Sequence, residues 1–486
     1  MTTLSEPDLL ILGGGSTAFA AALHAAELGK TALLIEERAI GGTCANRGCL
    51  PSKHLIEAAR LVFEAAHPRY PGLTPLQMPV NWTALLEQKD ALVRSYRWER
   101  YERLLQELAG LELVQGHATL LSPWEVLVTG PAGSWRLRGR QLLIATGSHP
   151  LVPDLPGLQE VPYLTSDLLS SADDPWQTAL RQQPRSLVIL GGGAVALELG
   201  QLFARLGTAV TLLTRGSQVL PGAEPELARA LEGLLQAEGL RLLKRVEVRE
   251  VRQSVKGVRL WLQQEARSET LEAEQLLIAT GRRPATEGLG LERAGVVVEA
   301  DGAVRVDQTL RTSVPHIWAA GDVIGTAWGN QYATPVGAAD GKLAAHNALS
   351  GEPPRPVDHR VIPRCIFTDP PLATVGLTDA QAQAAGLACV CRVLPLSLVP
   401  RAGATRQTQG LVKMVVEQGS QRVLGVSLLG ASAGEVIHEA AMALRFGARL
   451  EDFTELLHVY PTMAEALRLV ALSFTREVRL LSCCAS

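Results

Sequence analysis

The chain has 486 residues, a formal net charge of −3, and a composition that is 47% hydrophobic and 20% charged. That length suggests about three domains of a globular protein, and the near-neutral charge excludes a nucleic-acid surface or a basic membrane patch. Its 7 cysteines, an odd number in a long chain, exclude a secreted disulfide scaffold and lean towards cytoplasmic redox or metal chemistry.

The opening MTTLSEPDLLILGGG has no positive n-region and no cleavage-site pattern, so no signal peptide is expected. No uninterrupted apolar run is long enough to span a bilayer. PDLLILGGGSTAFAAALHAAELGKTALLIEE reads as strand, glycine turn, helix and strand. The first strand is Leu9 to Leu12, the alanine-rich helix runs from Thr17 to Leu28, and Gly29 stops it. The second strand is Ala32 to Ile35. Residues 54–110 read as helical with a break at HPRYPGLTP, and strands follow through LELVQGHATL, WEVLVTG and SWRLRGRQLLIATG. The pattern then restarts at RSLVILGGGAVALELGQLFARLGTAVTLLTRG, Ser186 to Gly216. LLIATGS at 142–148 likewise recurs as LLIATGR at 276–282. Two such units predict two nucleotide-binding domains. From Pro353 onward, antiparallel strands and helices predict an α+β third domain.

Gly13-Gly14-Gly15-Ser16-Thr17-Ala18 fits G-x-G-x-x-[GA] between a strand and a helix. Gly13 makes the tight turn, Gly15 admits a pyrophosphate to the helix N-terminus, and Ala18 allows close helix–strand packing. Glu36 ends the next strand, where a carboxylate binds ribose hydroxyls. Gly191, Gly193 and Ala196 repeat the arrangement, but there the second strand ends in Thr214-Arg215. An arginine at that point pairs with a 2′-phosphate, which favours NADPH over NADH.

GGTCANRGCLPSK carries Cys44 and Cys49. The segment from Leu50 to Lys53 should open a helix, which sets Cys49 near a helix N-terminus whose dipole lowers a thiol pKa. Arg47 and Lys53 add positive charge.

This loop, with its flanking motifs in order, resembles the FAD-dependent pyridine nucleotide–disulfide oxidoreductases over essentially the whole chain. The resemblance implies an α/β fold of two Rossmann-like domains, for FAD and NADPH, plus a C-terminal α+β dimerisation domain. The expected boundaries are 1–155 with 282–352 for FAD, 156–281 for NADPH and 353–486 for dimerisation. It implies that Gly42 and Thr43, Thr146 and Gly147, Gly281, and Gly321 with Asp322 border the bound nucleotides. Lys53 lies by the flavin, and Glu198 lies near the nicotinamide and pairs with Lys53. Cys44 and Cys49 form the redox pair, with Cys49 nearer the flavin.

Disulfide-reducing members carry H-x-H-P-T-x-x-E near the C-terminus, whose second histidine is the acid–base group. Imidazole suits that step because its pKa is near neutral. Here the stretch reads His458-Val459-Tyr460-Pro461-Thr462-Met463-Ala464-Glu465. A phenol of pKa about 10 is a poor substitute. Tyr460 in that slot, Tyr163 in VPYLTSD and the terminal Cys483-Cys484 together resemble the mercuric reductases. That resemblance implies NADPH-dependent reduction of Hg(II) to Hg(0) through FAD and the Cys44–Cys49 pair. Tyr163 and Tyr460 would position the metal, and the tail of a partner subunit in a homodimer would deliver Hg(II) from thiolate complexes. Thiolates are the soft ligands this ion requires. Many mercuric reductases begin with a metal-binding domain; here the first strand starts within the opening dozen residues, so none is expected.

Three other readings of SCCAS stand beside this one: a frayed end, a loose prenylation pattern without a polybasic stretch, and a relay dithiol for an organic disulfide. The last gives the alternative function, an NADPH-dependent flavoprotein disulfide reductase. Cys365 reads as core. Cys389 and Cys391 alternate on a strand with both thiols on one side, and packing is preferred there over a metal role. His24 and His458 read as structural.

Overall fold

The computed structural model describes residues 6–478. Its first sheet is five-stranded and parallel, in the order Ile317–Ala319, Gln141–Ile144, Leu9–Leu12, Ala32–Glu36, Leu111–Gln115. Leu9 to Leu12 is fully buried, as expected for a central parallel strand covered on both faces. The helix Ser16–Glu27 packs on this sheet, and its would-be capping residue is Gly15.

A second parallel sheet repeats the plan with four strands, ordered Arg241–Lys244, Ala209–Thr214, Ser186–Leu190, Gln275–Ile278. The helix Ala194–Arg205 follows its first strand. Each parallel sheet is accompanied by a three-stranded antiparallel sheet, His117 to Leu137 in one case and Val246 to Ala273 in the other. Short antiparallel strands Ser148–Pro150 and Arg282–Pro284 pair where the chain leaves the first unit and returns to it. The third region is a five-stranded antiparallel sheet, ordered Arg364–Ile366, Leu372–Gly376, Val423–Leu429, Leu411–Glu417, Cys389–Pro395. The helices Ala433–Arg445 and Glu465–Leu472 cover it.

The architecture is therefore α/β, with two nucleotide-binding parallel sheets and a C-terminal α+β region. The long helical reading at MAEALRLVALSFTREVRLLS shortens to Glu465–Leu472. Residues 473–476 turn instead, and Arg392 reaches across to Ser473 O and stands over the Phe474 ring. The region read as helical between 54 and 110 begins earlier, at Cys49, and runs to Ala66 before the expected break. Among the described residues no helix is long and apolar enough to cross a membrane.

Close backbone contact brings the two ends of the first cavity together. Gly13 has φ +117°, and a Cβ there would stand 2.4 Å from Ala145 O. Gly42, at φ +61°, touches Gly15, and a Cβ on it would lie 2.7 Å from the Gly15 Cα. With the Gly41 N–H donating to Gly14 O at 2.8 Å, this contact seats the cysteine loop on the first glycine turn.

Candidate active site

One cleft joins the first glycine turn, the cysteine loop and the helix of the second unit. Its lining includes Gly13 to Thr17, Glu36, Gly42 to Cys44, Cys49, Lys53, Thr146 to Ser148, Val195, Glu198, Asp322 and Thr334. The helices Ser16–Glu27 and Ala194–Arg205 both begin without a side-chain cap and without an acid in the first turn. Their unsatisfied N–H groups and positive dipole ends suit an anionic pyrophosphate. A Cβ on Gly15 would meet only the Gly42 backbone, at 3.7 Å, and Gly193 has nothing within 4 Å, so both turns leave room for a phosphate at the backbone. Gly191 repeats the strain of Gly13: its φ is +138°, and a Cβ there would lie 2.1 Å from Ala279 O. Ala18 and Ala196 are fully buried behind the turns.

Glu36 accepts from the Gly14 N–H at 2.7 Å and the Arg38 N–H at 2.8 Å. Burial still pushes its carboxyl up, which suits a group that completes its hydrogen bonding with ribose hydroxyls. At the far side, Ser148 Oγ donates to Asp322 Oδ2 at 2.6 Å, and Arg282 holds Ser148 through its hydroxyl and carbonyl. Thr146 donates to Ala285 O at 2.7 Å. Gly147 and Gly281 both have positive φ, with little or nothing near a would-be Cβ. Gly321 sits against Thr17, whose Oγ1 would be 2.4 Å from a Cβ there. Arg215 is exposed at the end of the second unit's strand Ala209–Thr214. The uncapped helices, the open glycine turns, Glu36 at the end of the first unit's strand and Arg215 just past the second unit's fit two dinucleotides.

Cys44 lies in the short helix Gly42–Asn46, and Cys49 is the first residue of the helix Cys49–Ala66. Both are free thiols, and Cys49 is exposed to the cleft. They behave as a split pair. A hydrogen bond from Cys44 holds the Cys49 thiol down to about 6, with burial opposing and Lys53 and Thr334 assisting. The same hydrogen bond, together with burial, pushes Cys44 well up. The helix N-terminus adds to the stabilisation of a Cys49 thiolate.

Lys53 donates to Glu198 Oε2 at 2.7 Å, and its ammonium stands 4.6 Å from the centre of the Phe367 ring. The other oxygen of Glu198 accepts from the Phe367 N–H at 2.9 Å. One buried carboxylate thus ties together the cysteine helix, the second unit and the C-terminal region. Two of these participants were not visible in the sequence. Phe367 contributes a main-chain N–H, which no side-chain pattern announces. Thr334 Oγ1 lies 3.8 Å from Cys49 Sγ at the start of the helix Thr334–Leu349; a Thr-Pro pair opening a helix was the available signal.

Tyr163 and Tyr460 of this chain do not line the cleft with the thiols. Tyr163 is half-buried against the hydrophobic core of the second unit, and the cleft lining does not include it. Tyr460 is 48% exposed on the C-terminal region. His458 is engaged structurally, with Nε2 3.0 Å from Glu439 Oε1 and Nδ1 3.1 Å from Leu456 O. Glu465 accepts from the Thr462 N–H at 3.3 Å. Cys483 and Cys484 lie outside the described residues.

The pyridine nucleotide-disulphide oxidoreductase family matches residues 7–348, and its dimerisation domain matches residues 362–471. The chain is 40% identical to a mercuric reductase of Staphylococcus aureus over 478 residues, covering 98% of this chain and 84% of that one. It is 42% identical to a mercuric reductase of Streptomyces lividans over 480 residues, covering 98% of each. Among solved structures it resembles a Cu(II) complex of RclA from Escherichia coli, an HOCl-induced flavoprotein disulfide reductase. The TM-score is 0.84 and the identity 28%, with 97% of this chain and 100% of that one covered.

Proposed function

The chain belongs to the mercuric reductases within the pyridine nucleotide-disulphide oxidoreductase family, and from that premise we propose that it reduces Hg(II) to Hg(0) with electrons from NADPH. It is an NADPH-dependent flavoprotein oxidoreductase whose cofactors are FAD and NADPH. The carrying observation is the split thiol pair in the cleft, a Cys49 held down to about 6 beside a Cys44 held protonated. Such a pair offers a soft ligand at neutral pH.

FAD, when bound, supplies two-electron chemistry between the nicotinamide and the thiol pair. The first glycine turn with Gly13, Gly15 and Ala18, and Glu36, Gly42, Thr43, Thr146, Gly147, Gly281, Gly321 and Asp322, would hold FAD. Gly191, Gly193 and Arg215 would hold NADPH, the arginine at its 2′-phosphate. Lys53 and Glu198 keep one positive and one negative group fixed beside the thiols. Cys49 meets the incoming ion as thiolate. Cys44 completes the two-sulfur ligation, and its proton passes to a departing thiolate. Tyr163 and Tyr460 would position the metal, and Cys483 and Cys484 would be the entry ligands.

Tyr460 would reach the cleft in a homodimer, from the second copy. The exposed large apolar side chains Met442, Phe446, Leu456, Leu457 and Val459 in the C-terminal region support such an assembly, because association would take apolar surface out of water. The FAD domain would comprise 1–155 and 282–352, the NADPH domain 156–281 and the dimerisation domain 353–486. We assign the enzyme to the cytoplasm on its cysteine usage.

The test is NADPH oxidation by the purified holoenzyme in excess thiol. Hg(II) should drive sustained oxidation, whereas glutathione disulfide and lipoamide should not. The opposite pattern would establish the second reading, a flavoprotein disulfide reductase with a relay dithiol, which the likeness to RclA favours.

A further inference from the structure

Two thiols outside the cleft also form a pair. Cys389 and Cys391 open the strand Cys389–Pro395, so their side chains leave one face of the sheet. Both are half-buried and pack beside Leu377 and Leu387 on a small core of Ala382, Val415 and Leu424. Both point at the same carboxylate. The Cys389 thiol donates to Asp379 Oδ1 at 3.5 Å, and the Cys391 thiol donates to Asp379 Oδ2 at 3.7 Å.

Asp379 is itself fixed. It opens the helix Asp379–Ala384 behind a capping box at Thr378, and its N–H donates to Glu224 Oε1 at 2.8 Å. Gln383 donates to Oδ1 at 2.8 Å, and the Lys413 ammonium stands 3.9 Å from Oδ2. The two sulfurs are therefore converged on one anchored group, an arrangement that packing alone does not require.

Strand geometry disfavours a disulfide here. Residues two apart on a strand have Cα atoms about 6.7 Å apart with near-parallel Cβ bonds, whereas a disulfide needs Cβ atoms about 3.8 Å apart. A metal ion between the sulfurs relaxes that demand. With bonds near the ~2.3 Å of zinc thiolates, a linear S–metal–S unit spans about 4.6 Å. Among the described residues there is no group of three or more His, Cys, Asp or Glu able to hold a metal ion. The pair thus lacks what zinc or a hard cation requires, but two sulfurs suffice for a soft ion with linear preference.

We propose that Cys389 and Cys391 form a second binding site for a soft, two-coordinate metal ion, separate from the Cys44–Cys49 pair. That Hg(II) is the ion it meets rests on the functional reading above. Loading is ligand exchange with no redox change. Each protein sulfur forms a bond to the metal as one small thiolate leaves, and each protein thiol proton passes by way of Asp379 to a departing thiolate. Two small thiols are released, and the net charge is unchanged. Burial and the Asp379 carboxylate push both thiols up, so the empty site stays protonated and slow to oxidise.

The test titrates the holoenzyme, without NADPH, with Hg(II) as its bis-glutathione complex and counts bound metal per subunit after desalting. Cys389→Ser/Cys391→Ser should bind one ion per subunit fewer than the unaltered chain. A second arm needs no variant. Iodoacetamide labelling of the unaltered protein, mapped by mass spectrometry, should show Cys389 and Cys391 becoming protected together on loading. Equal metal counts in the two proteins overturn the proposal, and so does labelling of Cys389 and Cys391 that the metal leaves unchanged. NADPH-dependent Hg(II) turnover, measured in parallel, reports on Cys44 and Cys49 alone. Its failure would strike the functional reading and leave the metal count at Cys389 and Cys391 intact.

Discussion

Cys44 and Cys49 differ from Cys389 and Cys391 in surroundings rather than in residue type. The first pair straddles a loop into a helix N-terminus, faces an open cleft, and has Lys53 and Thr334 beside it. One thiol is driven down and the other up. The second pair lies on a sheet, faces a carboxylate, and has both thiols driven up. A helix dipole and an ammonium favour a thiolate, while burial and a carboxylate disfavour it. The same side chain is thus favoured as a thiolate in one place and held as a thiol in the other.

The largest way to break this contrast is Cys49→Ser. It removes the only thiol among these four that ionises near pH 6, and should cut metal-dependent NADPH oxidation by at least about 10³-fold while flavin content is retained. Retained turnover in steady-state assays would show that another thiol does the work.

Lys53→Met should have an intermediate effect. A lowered pKa means that Cys49 is ionised above about 6 and protonated below it. Without the Lys53 charge its titration moves up, and iodoacetamide labelling of Cys49 at a pH near 6 should slow by roughly tenfold. The variant also strips the buried Glu198 carboxylate of its ammonium partner while the Phe367 N–H still donates to it, which should lower stability by about 2 kcal/mol in urea unfolding. A labelling profile that does not shift with pH would remove Lys53 from the account of Cys49.

The smallest effect should come from Asp379→Asn, which sharpens the contrast from the other side. Asp379 raises both of its neighbours, so the amide should let Cys389 and Cys391 label a few-fold faster at neutral pH. Labelling of Cys49, which shares no partner with Asp379, should not change. Unaltered labelling of Cys389 and Cys391 would mean that burial alone sets their acidity.

Much of the cleft was legible because its signals are local. A glycine turn, a following helix and the carboxylate at the next strand end fall within one unit, and sterics oblige the same residues to recur at Gly13 and Gly191. The cysteine loop and Lys53 share one helix, so their proximity is a matter of helical geometry. The contacts between units were not legible. The Phe367 N–H on Glu198 and the Thr334 hydroxyl beside Cys49 come from regions more than 130 residues away in sequence. A main-chain donor has no residue signature at all. Nor does a motif say which way a ring faces: Tyr163, half-buried, rests against the second unit's core, a contact that the VPYLTSD stretch does not announce.

By itself, then, the sequence determined the two nucleotide-binding units, the position of the cysteine loop and the family, because each rests on residues whose spacing is fixed by a single turn or helix. Tertiary structure alone decided how the three regions close on Glu198, how the two thiols of the cleft divide one proton between them, and that Cys389 and Cys391 converge on Asp379. Those outcomes depend on distances and burial between distant segments, and it is distance and burial that set the strength of every charge interaction involved.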